Sequence, residues 1–381
     1  MPRVLLFRSE LLPLSETFIA GQSRALARYE AWYAGLKRVP GGLALDEARV
    51  IAATQTNSLR EKISLRIYLR AGIAPGFLRR VEAVEPHLIH AHFATDACAA
   101  LTLQDRLRVP MIVTLHGYDV TSDAAALRRF RAGRKYLRQR RELWAQATLF
   151  VCVSESIRQK AARNGFPKEK LWVHPIGIDL DFFRPNLKAT KEPLVLFVGR
   201  LVEKKGCVYL LRAMRQVESR VPAARLVVLG DGPLRGALEA EARDTLTRCE
   251  FLGAASAEVV RQWMGRAAAM AVPSIVAENG DSEGLCTVVC EAQAMGLPVV
   301  GFRGPGIEVM HGETGLLVAQ RDENVLAEAI LTLLQDEALA AQMGAAGRQR
   351  AERLFNLRRQ TALLEEKYDE VLSSADLKAR R

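Results

Sequence analysis

Short runs rich in Val, Ile and Leu alternate with longer helical patterns along this 381-residue chain, and the alternation starts twice. In the first half the strand candidates are 3–7 (RVLLF), 87–93 (HLIHAHF), 111–117 (MIVTLHG), 148–154 (TLFVCVS) and 171–177 (LWVHPIG). In the second half they are 194–199 (LVLFVG), 225–232 (RLVVLGDG), 249–253 (CEFLG), 269–274 (AMAVPS) and 298–302 (PVVGF). Runs that stay apolar belong to strands covered on both faces, and strand–helix alternation builds parallel sheets. Between the two sets lies 183–193 (FRPNLKATKEP), with two prolines, several charges and no periodicity, which suits a linker. The pattern predicts an α/β protein of two Rossmann-like domains, 1–182 and 194–356, followed by a charged amphipathic helix over 357–381. Ligands of such sheets bind beyond the carboxyl ends of the strands, so two facing sheets would line one cleft.

Composition narrows the partners. Lys and Arg number 54 against 43 Asp and Glu, a net charge of +11. That excess favours anions such as nucleotides, lipid phosphates or nucleic acid, without choosing among them. Nucleic acid is the weakest of these, because interleaved aromatics and known binding signatures are missing. Six scattered cysteines form no CxxC, which fits reduced thiols in the cytoplasm. The VLLF run at 4–7 is too short for a signal peptide, and no apolar stretch approaches the ~18 residues of a spanning helix. Membrane contact, if made, would be peripheral, on the inner face of the cytoplasmic membrane.

The stretch 278–300 (ENGDSEGLCTVVCEAQAMGLPVV) concentrates acids at the start of a helix pattern that Gly296 and Pro298 terminate. A helix starting near Leu285 would aim free N–H groups and a positive dipole end at an anion. Glu283 sits in the loop at that start and Glu291 about two turns inside. Eight helical residues span roughly 12 Å at most, comparable to the length of a sugar nucleotide. A carboxylate accepts well from paired sugar hydroxyls. The same acids also fit a plain dipole contact and a solvated face.

Other segments carry similar alternatives. In 196–206 (LFVGRLVEKKG) a strand ends at Gly199, and Arg200 and Lys205 follow; both cations suit phosphate oxygens, or a solvated basic turn. Neither a Walker loop nor a dinucleotide fingerprint is present. The turn in 227–233 (VVLGDGP), with Gly232, would let backbone approach a ligand. His116 stands at a strand's carboxyl end, before Gly117. His90 and His92 form an H-x-H pair with no evident third metal ligand. The basic stretch 127–143 places Leu127, Phe130 and Leu137 at helical spacing, extended by Trp144. That face either packs on the core or meets anionic lipid.

Together these motifs resemble the retaining glycosyltransferases of family 4, which have the GT-B fold. The strongest likeness is SEGLCTVVCEAQAMGLPVV, with two glutamates seven residues apart, Glu283 and Glu291. GRLVEKKG, LGDGP, FLG (251–253), HGETGLLV (311–318) and HPIGID (174–179) follow in the family's order, and LSETFI and HAHFAT are similar to the exopolysaccharide, colanic-acid-type branch. The resemblance implies GT-B architecture, with two domains across a cleft and the last helix crossing back to the first domain. It implies that Arg200 and Lys205 hold a donor diphosphate, that Glu283 bonds the transferred sugar, and that Glu291 holds the ribose hydroxyls. His116 would sit against the sugar. Gly199, Gly232, Phe251, Leu252, Gly284, Leu285, Cys286 and Thr287 would border the donor, and Ser15, Glu16, Thr17, Asp119 and Asp281 the acceptor or its loops.

The chain departs from the family in three places. The loop after the first strand (RSELLPLSETF) lacks glycine, so Ser15 is expected to cap the next helix instead and offer its N-terminus to phosphate. Cys286 stands where the family often has proline or glycine. ENGD lengthens the loop before Glu283. The implied reaction moves a hexose from a nucleotide diphosphate sugar to a hydroxyl of a glycan or polyprenyl-diphosphate-linked saccharide. Protein cations would serve where other enzymes use a metal, so no cofactor is expected. A sugar-nucleotide epimerase or a phosphorylase on the same fold is the alternative.

Overall fold

The computed structural model describes residues 1–54, 58–72, 74–186 and 190–379. The chain forms two compact units, Met1–Gly177 with Leu357–Arg381, and Ile178–Asn356. The boundary therefore precedes the expected linker 183–193, whose residues 187–189 lie outside the described residues, as do 380–381. Arg348 supplies the reason: its Nη1 donates to the carbonyls of Phe183 at 2.9 Å and Ala294 at 2.7 Å, tying that stretch to the second unit.

The first unit contains β1 (Arg3–Leu11), β2 (Glu30–Arg38), β3 (Val50–Thr54), β4 (Leu88–His92), β5 (Met111–Leu115), β6 (Leu149–Cys152) and β7 (Leu171–Val173). They pair in parallel in the order β3-β2-β1-β4-β5-β6-β7. The second unit contains β8 (Glu192–Val198), β9 (Arg225–Leu229), β10 (Cys249–Gly253), β11 (Ala267–Val272), β12 (Val299–Phe302) and β13 (Gly315–Val318), ordered β10-β9-β8-β11-β12-β13 and again parallel. In both sheets chain order reverses beside the first strand, between β1 and β4 and between β8 and β11. A doubly wound sheet binds ligands in the crevice at that reversal.

Central strands are buried along their length, Met111–Leu115 and Leu226–Leu229 among them, as apolar runs covered on both faces require. The helix Leu357–Ala379 belongs to the first unit, where Leu364, Tyr368 and Val371 pack in one core with Leu6, Leu88, Ile112 and Val151. All six cysteines are free thiols. No helix among the described residues is long and apolar enough to cross a membrane.

Candidate active site

In the second unit the site is built by the loops that leave β8 and β11. The β8 loop turns back at Gly206, at φ +61°, where a Cβ would stand 1.9 Å from the carbonyl oxygen of Pro273. Only glycine permits that approach. The two loops are joined there by the amide of Ile275, which donates to the carbonyl of Lys204 at 2.8 Å. Gly199 leaves room beside it for the Lys205 stem, with which a Cβ at 199 would make ordinary contact at 3.5 Å.

Lys205 so placed meets Glu283, Nζ to Oε1 at 2.7 Å. Ser274 Oγ donates to the same oxygen at 3.0 Å, and Lys204 Nζ pairs with Asp281 Oδ1 at 3.1 Å. The Sγ of Cys286 lies 4.0 Å from Lys205 Nζ. Burial alone would push Glu283 up. Lys205 and Lys204, with the bonds from Lys205 and Ser274, outweigh it and hold the carboxyl below its usual range. Burial would likewise lower Lys205, but the Glu283 carboxylate, paired with its Nζ, keeps it charged. Burial pushes the Cys286 thiol up to about 12, which leaves it protonated.

The Arg200 side chain is exposed and has no hydrogen bond or ion pair among the described residues. Gly232 packs on the same loop, where a Cβ would lie 2.5 Å from the carbonyl oxygen of Leu201. At the end of β10, Phe251 is half-buried and Leu252 exposed.

The helix expected near Leu285 spans Thr287–Ala294, two residues later. Gly284 and Leu285 are buried in the preceding loop, and the amide of Cys286 donates to Gly306 at 2.9 Å. The helix amides that remain to face a ligand therefore begin at Thr287. Glu291, in the middle of this helix, is half-buried, and its side chain has no hydrogen bond or ion pair among the described residues. Burial raises it to about 7, with Lys205 pulling the other way.

In the first unit the corresponding reversal joins Glu16 to two residues that sequence reasoning missed, Arg8 and Asp96. Arg8, inside β1, pairs with Asp96, which follows β4, and with Glu16, whose Oε2 accepts from Nε at 2.9 Å. The amide of Ser9 donates to Asp96 at 2.8 Å. Glu16 is thus buried and paired. Burial lifts its carboxyl against the pull of Arg8. Ser15 does not cap the next helix, Thr17–Arg24. A turn of 3-10 helix over Leu14–Glu16 intervenes, Glu16 takes the cap position without a side-chain bond, and Ser15 and Thr17 are exposed.

His116 is half-buried after β5, with the rings of Phe93 at 4.6 Å and Phe18 at 5.0 Å. Asp119 is buried behind it and committed, accepting from the amides of Ala94 at 2.8 Å and Gly117 at 2.9 Å. It shapes the loop instead of facing an acceptor. His90 and His92 are buried, and no group of three His, Cys, Asp or Glu among the described residues is placed to hold a metal ion.

The basic stretch packs on the core, but only partly by the expected face: Leu127 is buried, Leu137 and Trp144 are half-buried and Phe130 is exposed. In the helix Arg131–Gln146 it is Tyr136 and Leu143 that are buried and the arginines that are exposed. An outward apolar stripe lies elsewhere, on the helix Leu59–Ala71, where Leu59, Ile63 and Ile67 are 74%, 47% and 44% exposed.

Comparison with known proteins agrees with this fold. A sequence profile described as "Glycosyltransferase Family 4" matches residues 36–182, and one described as "Glycosyl transferases group 1" matches 192–336. The amylovoran biosynthesis glycosyltransferase AmsK of Erwinia amylovora is 29% identical over 72% of this chain and 67% of its own. The putative colanic acid biosynthesis glycosyltransferase WcaL of Escherichia coli is 29% identical over 64% and 61%. A GDP-mannose-dependent phosphatidylinositol monomannoside mannosyltransferase of Mycobacterium tuberculosis is 34% identical over 52% and 55%. The matches thus span about half to two thirds of these relatives. Among solved structures, the sucrose-phosphate synthase of Thermosynechococcus elongatus superposes with a TM-score of 0.77 at 22% identity, over 98% of this chain and 100% of that one. Anabaena HepE, in complex with UDP and glucose, gives 0.74 at 18% identity, over 97% and 100%. Two parallel Rossmann-like units make this the GT-B fold, and the chain belongs to glycosyltransferase family 4.

Proposed function

We propose that the protein transfers a hexose, with retention, from a nucleotide diphosphate sugar to a hydroxyl of a glycan or polyprenyl-diphosphate-linked saccharide during assembly of a bacterial surface or exopolysaccharide. The observation that carries this is the charge arrangement at the β8–β11 reversal. Lys205 is kept cationic by a buried carboxylate, while Arg200 beside it is exposed and unpaired. Breaking the sugar–phosphate bond puts negative charge on the β-phosphate. Lys205, the free Arg200 side chain and the amides that open the helix at Thr287 would stabilise it. The cations take the part a metal plays elsewhere, so the reading invokes no cofactor. Glu283 is bonded by Lys205 and Ser274, a pairing that fixes its orientation toward a sugar hydroxyl. Glu291, still without a partner, takes the ribose hydroxyls, and His116 serves the transferred sugar.

The relatives' names support the acceptor class, because two of them are named for amylovoran and colanic acid biosynthesis. The protein would work in the cytoplasm, peripherally on the membrane's inner face. The helix Leu59–Ala71 supports that placement, since exposed Arg66 and Arg70 share a face with Leu59, Ile63 and Ile67 at ~100° per residue. Arg200→Ala tests the central claim. The side chain is exposed and has no hydrogen bond or ion pair among the described residues, so melting should be unchanged while transfer from the donor falls on the order of a hundredfold. Near-normal transfer would remove the phosphate assignment.

A further inference from the structure

Strand alternation puts His90 and His92 on one face of β4, and pairing of β4 with β5 sets His92 opposite Thr114 and so beside His116. The three rings form a column. His90 and His92 stack at 4.5 Å and 25°, and His92 and His116 at 5.2 Å and 24°. His90 is fully satisfied, with Nδ1 at 2.6 Å from Tyr368 Oη and Nε2 at 2.6 Å from Thr114 Oγ1. His92 and His116 share a different bond, Nδ1 of His92 to Nε2 of His116 at 3.0 Å. The outer nitrogens, Nε2 of His92 and Nδ1 of His116, are buried without partners among the described residues.

Two ring nitrogens can bond only if one carries the proton and the other does not. Burial holds both imidazoles neutral at ordinary pH. Each ring therefore has one N–H, and the shared bond decides where it sits. If His92 donates, His116 carries its proton on Nδ1. If His116 donates, its Nδ1 is bare. In either case Nε2 of His116 is occupied. An unpaired buried nitrogen is costly, and a hydroxyl arriving at it recovers that cost.

We propose that His92 is a positioning residue for His116: it engages Nε2 of His116, couples that ring's tautomer to its own, fixes its orientation, and leaves Nδ1 as the atom His116 presents to a sugar hydroxyl. This rests on the role given to His116 above. It assigns work to a histidine that the sequence offered only as half of a metal pair.

The test compares His92→Phe, which keeps a stacked ring and loses the bond, with His92→Asn, whose amide sits close to where Nδ1 was. His92→Phe should lower kcat on the order of tenfold or more with donor KM little changed, and His92→Asn should restore much of it. Selective 15N-histidine NMR supplies the second readout. The His116 nitrogen shifts should change in His92→Phe, moving toward the mixture of a free imidazole. Equal losses in the two variants, undiminished turnover in His92→Phe, or His116 nitrogen shifts that ignore position 92 would each overturn the proposal. His116→Ala separates the two levels of the argument. If it keeps full turnover while the tautomer still depends on His92, the role of His116 fails and the coupling stands.

Discussion

Replacing Lys205 by methionine would keep the stem that packs beside Gly199 and remove the charge. Glu283 is 7% exposed, so the change strands a carboxylate in the interior. Breaking a buried pair in this way costs about 3–5 kcal/mol if the survivor stays charged. Glu283 has an escape, which is to take up a proton. From the ordinary carboxyl value of 4.5, protonation at pH 7 costs about 3.4 kcal/mol, at about 1.4 kcal/mol per pH unit. That caps the loss near neutrality, and at pH 5 the same route costs only about 0.7 kcal/mol. The signs run in opposite directions in the two proteins. With Lys205 present, the folded pKa of Glu283 is depressed, so the pair contributes stability above pH ~4.5 and loses it as pH falls through the depressed value. Without it, the folded pKa is raised, and the variant loses stability as pH rises. The gap between native and variant should therefore be about 3 kcal/mol at pH 7 and under about 1 kcal/mol at pH 5. Adding Glu283→Gln should recover most of the loss at pH 7. Urea unfolding at both pH values measures this, with amide exchange in β8 and β11 isolating the second unit. An equal gap at both pH values, or a double variant as unstable as the sum of the singles, would refute the reasoning.

Other consequences are as direct. Glu291 titrates near 7 in the free protein, and sugar hydroxyls bind best to its ionised form. Nucleotide affinity by calorimetry should rise from pH 6 to 8 and flatten in Glu291→Gln; a native profile that is already flat removes the ribose role. Gly206→Ala puts a methyl 1.9 Å from a backbone oxygen at positive φ, so it should cost about 2 kcal/mol or more and weaken nucleotide binding as Lys205 shifts. Native melting would show that the loops do not touch as described. Ile63→Glu with Ile67→Glu should abolish sedimentation with anionic vesicles and leave melting unchanged, since both side chains are exposed. Undiminished binding would move the lipid contact off this helix.

Much of the fold was legible because buried parallel strands leave an unbroken apolar signature, as in Met111–Leu115 and Leu226–Leu229. β2 escaped because its exposed end, Lys37 and Arg38, and its glycine dilute the run. β3 (VIAAT) escaped because it has only two large apolar residues, and β13 (GLLV) because it follows a polar, glycine-containing turn without a run of its own. In the site, Lys205 and Glu283 were recognised separately, one for phosphate and one for sugar. Their ion pair was invisible because they lie on different loops brought together only by the β8–β11 reversal. Arg8 and Asp96 were missed for the same reason, since 87 positions separate Asp96 from the Ser9 amide it accepts and no local motif links them. Ser15 misled because a cap signature says nothing of an intervening turn of 3-10 helix. The stretch 127–143 misled because helical spacing shows that apolar residues share a face, without saying what covers it.

The helix Leu357–Ala379 gives this molecule an unusual order of completion. A chain leaving the ribosome generally folds its N-terminal domain first. Here the second unit is one unbroken segment, 178–356, and can close as soon as it has emerged. The first unit cannot. Its core lacks Leu364, Tyr368 and Val371, and His90 lacks the Tyr368 hydroxyl, until residues made after the whole second unit arrive. The domain begun first is finished last, and until then Leu88, Ile112 and Val151 wait uncovered. That interval is where the nascent protein would most depend on a chaperone.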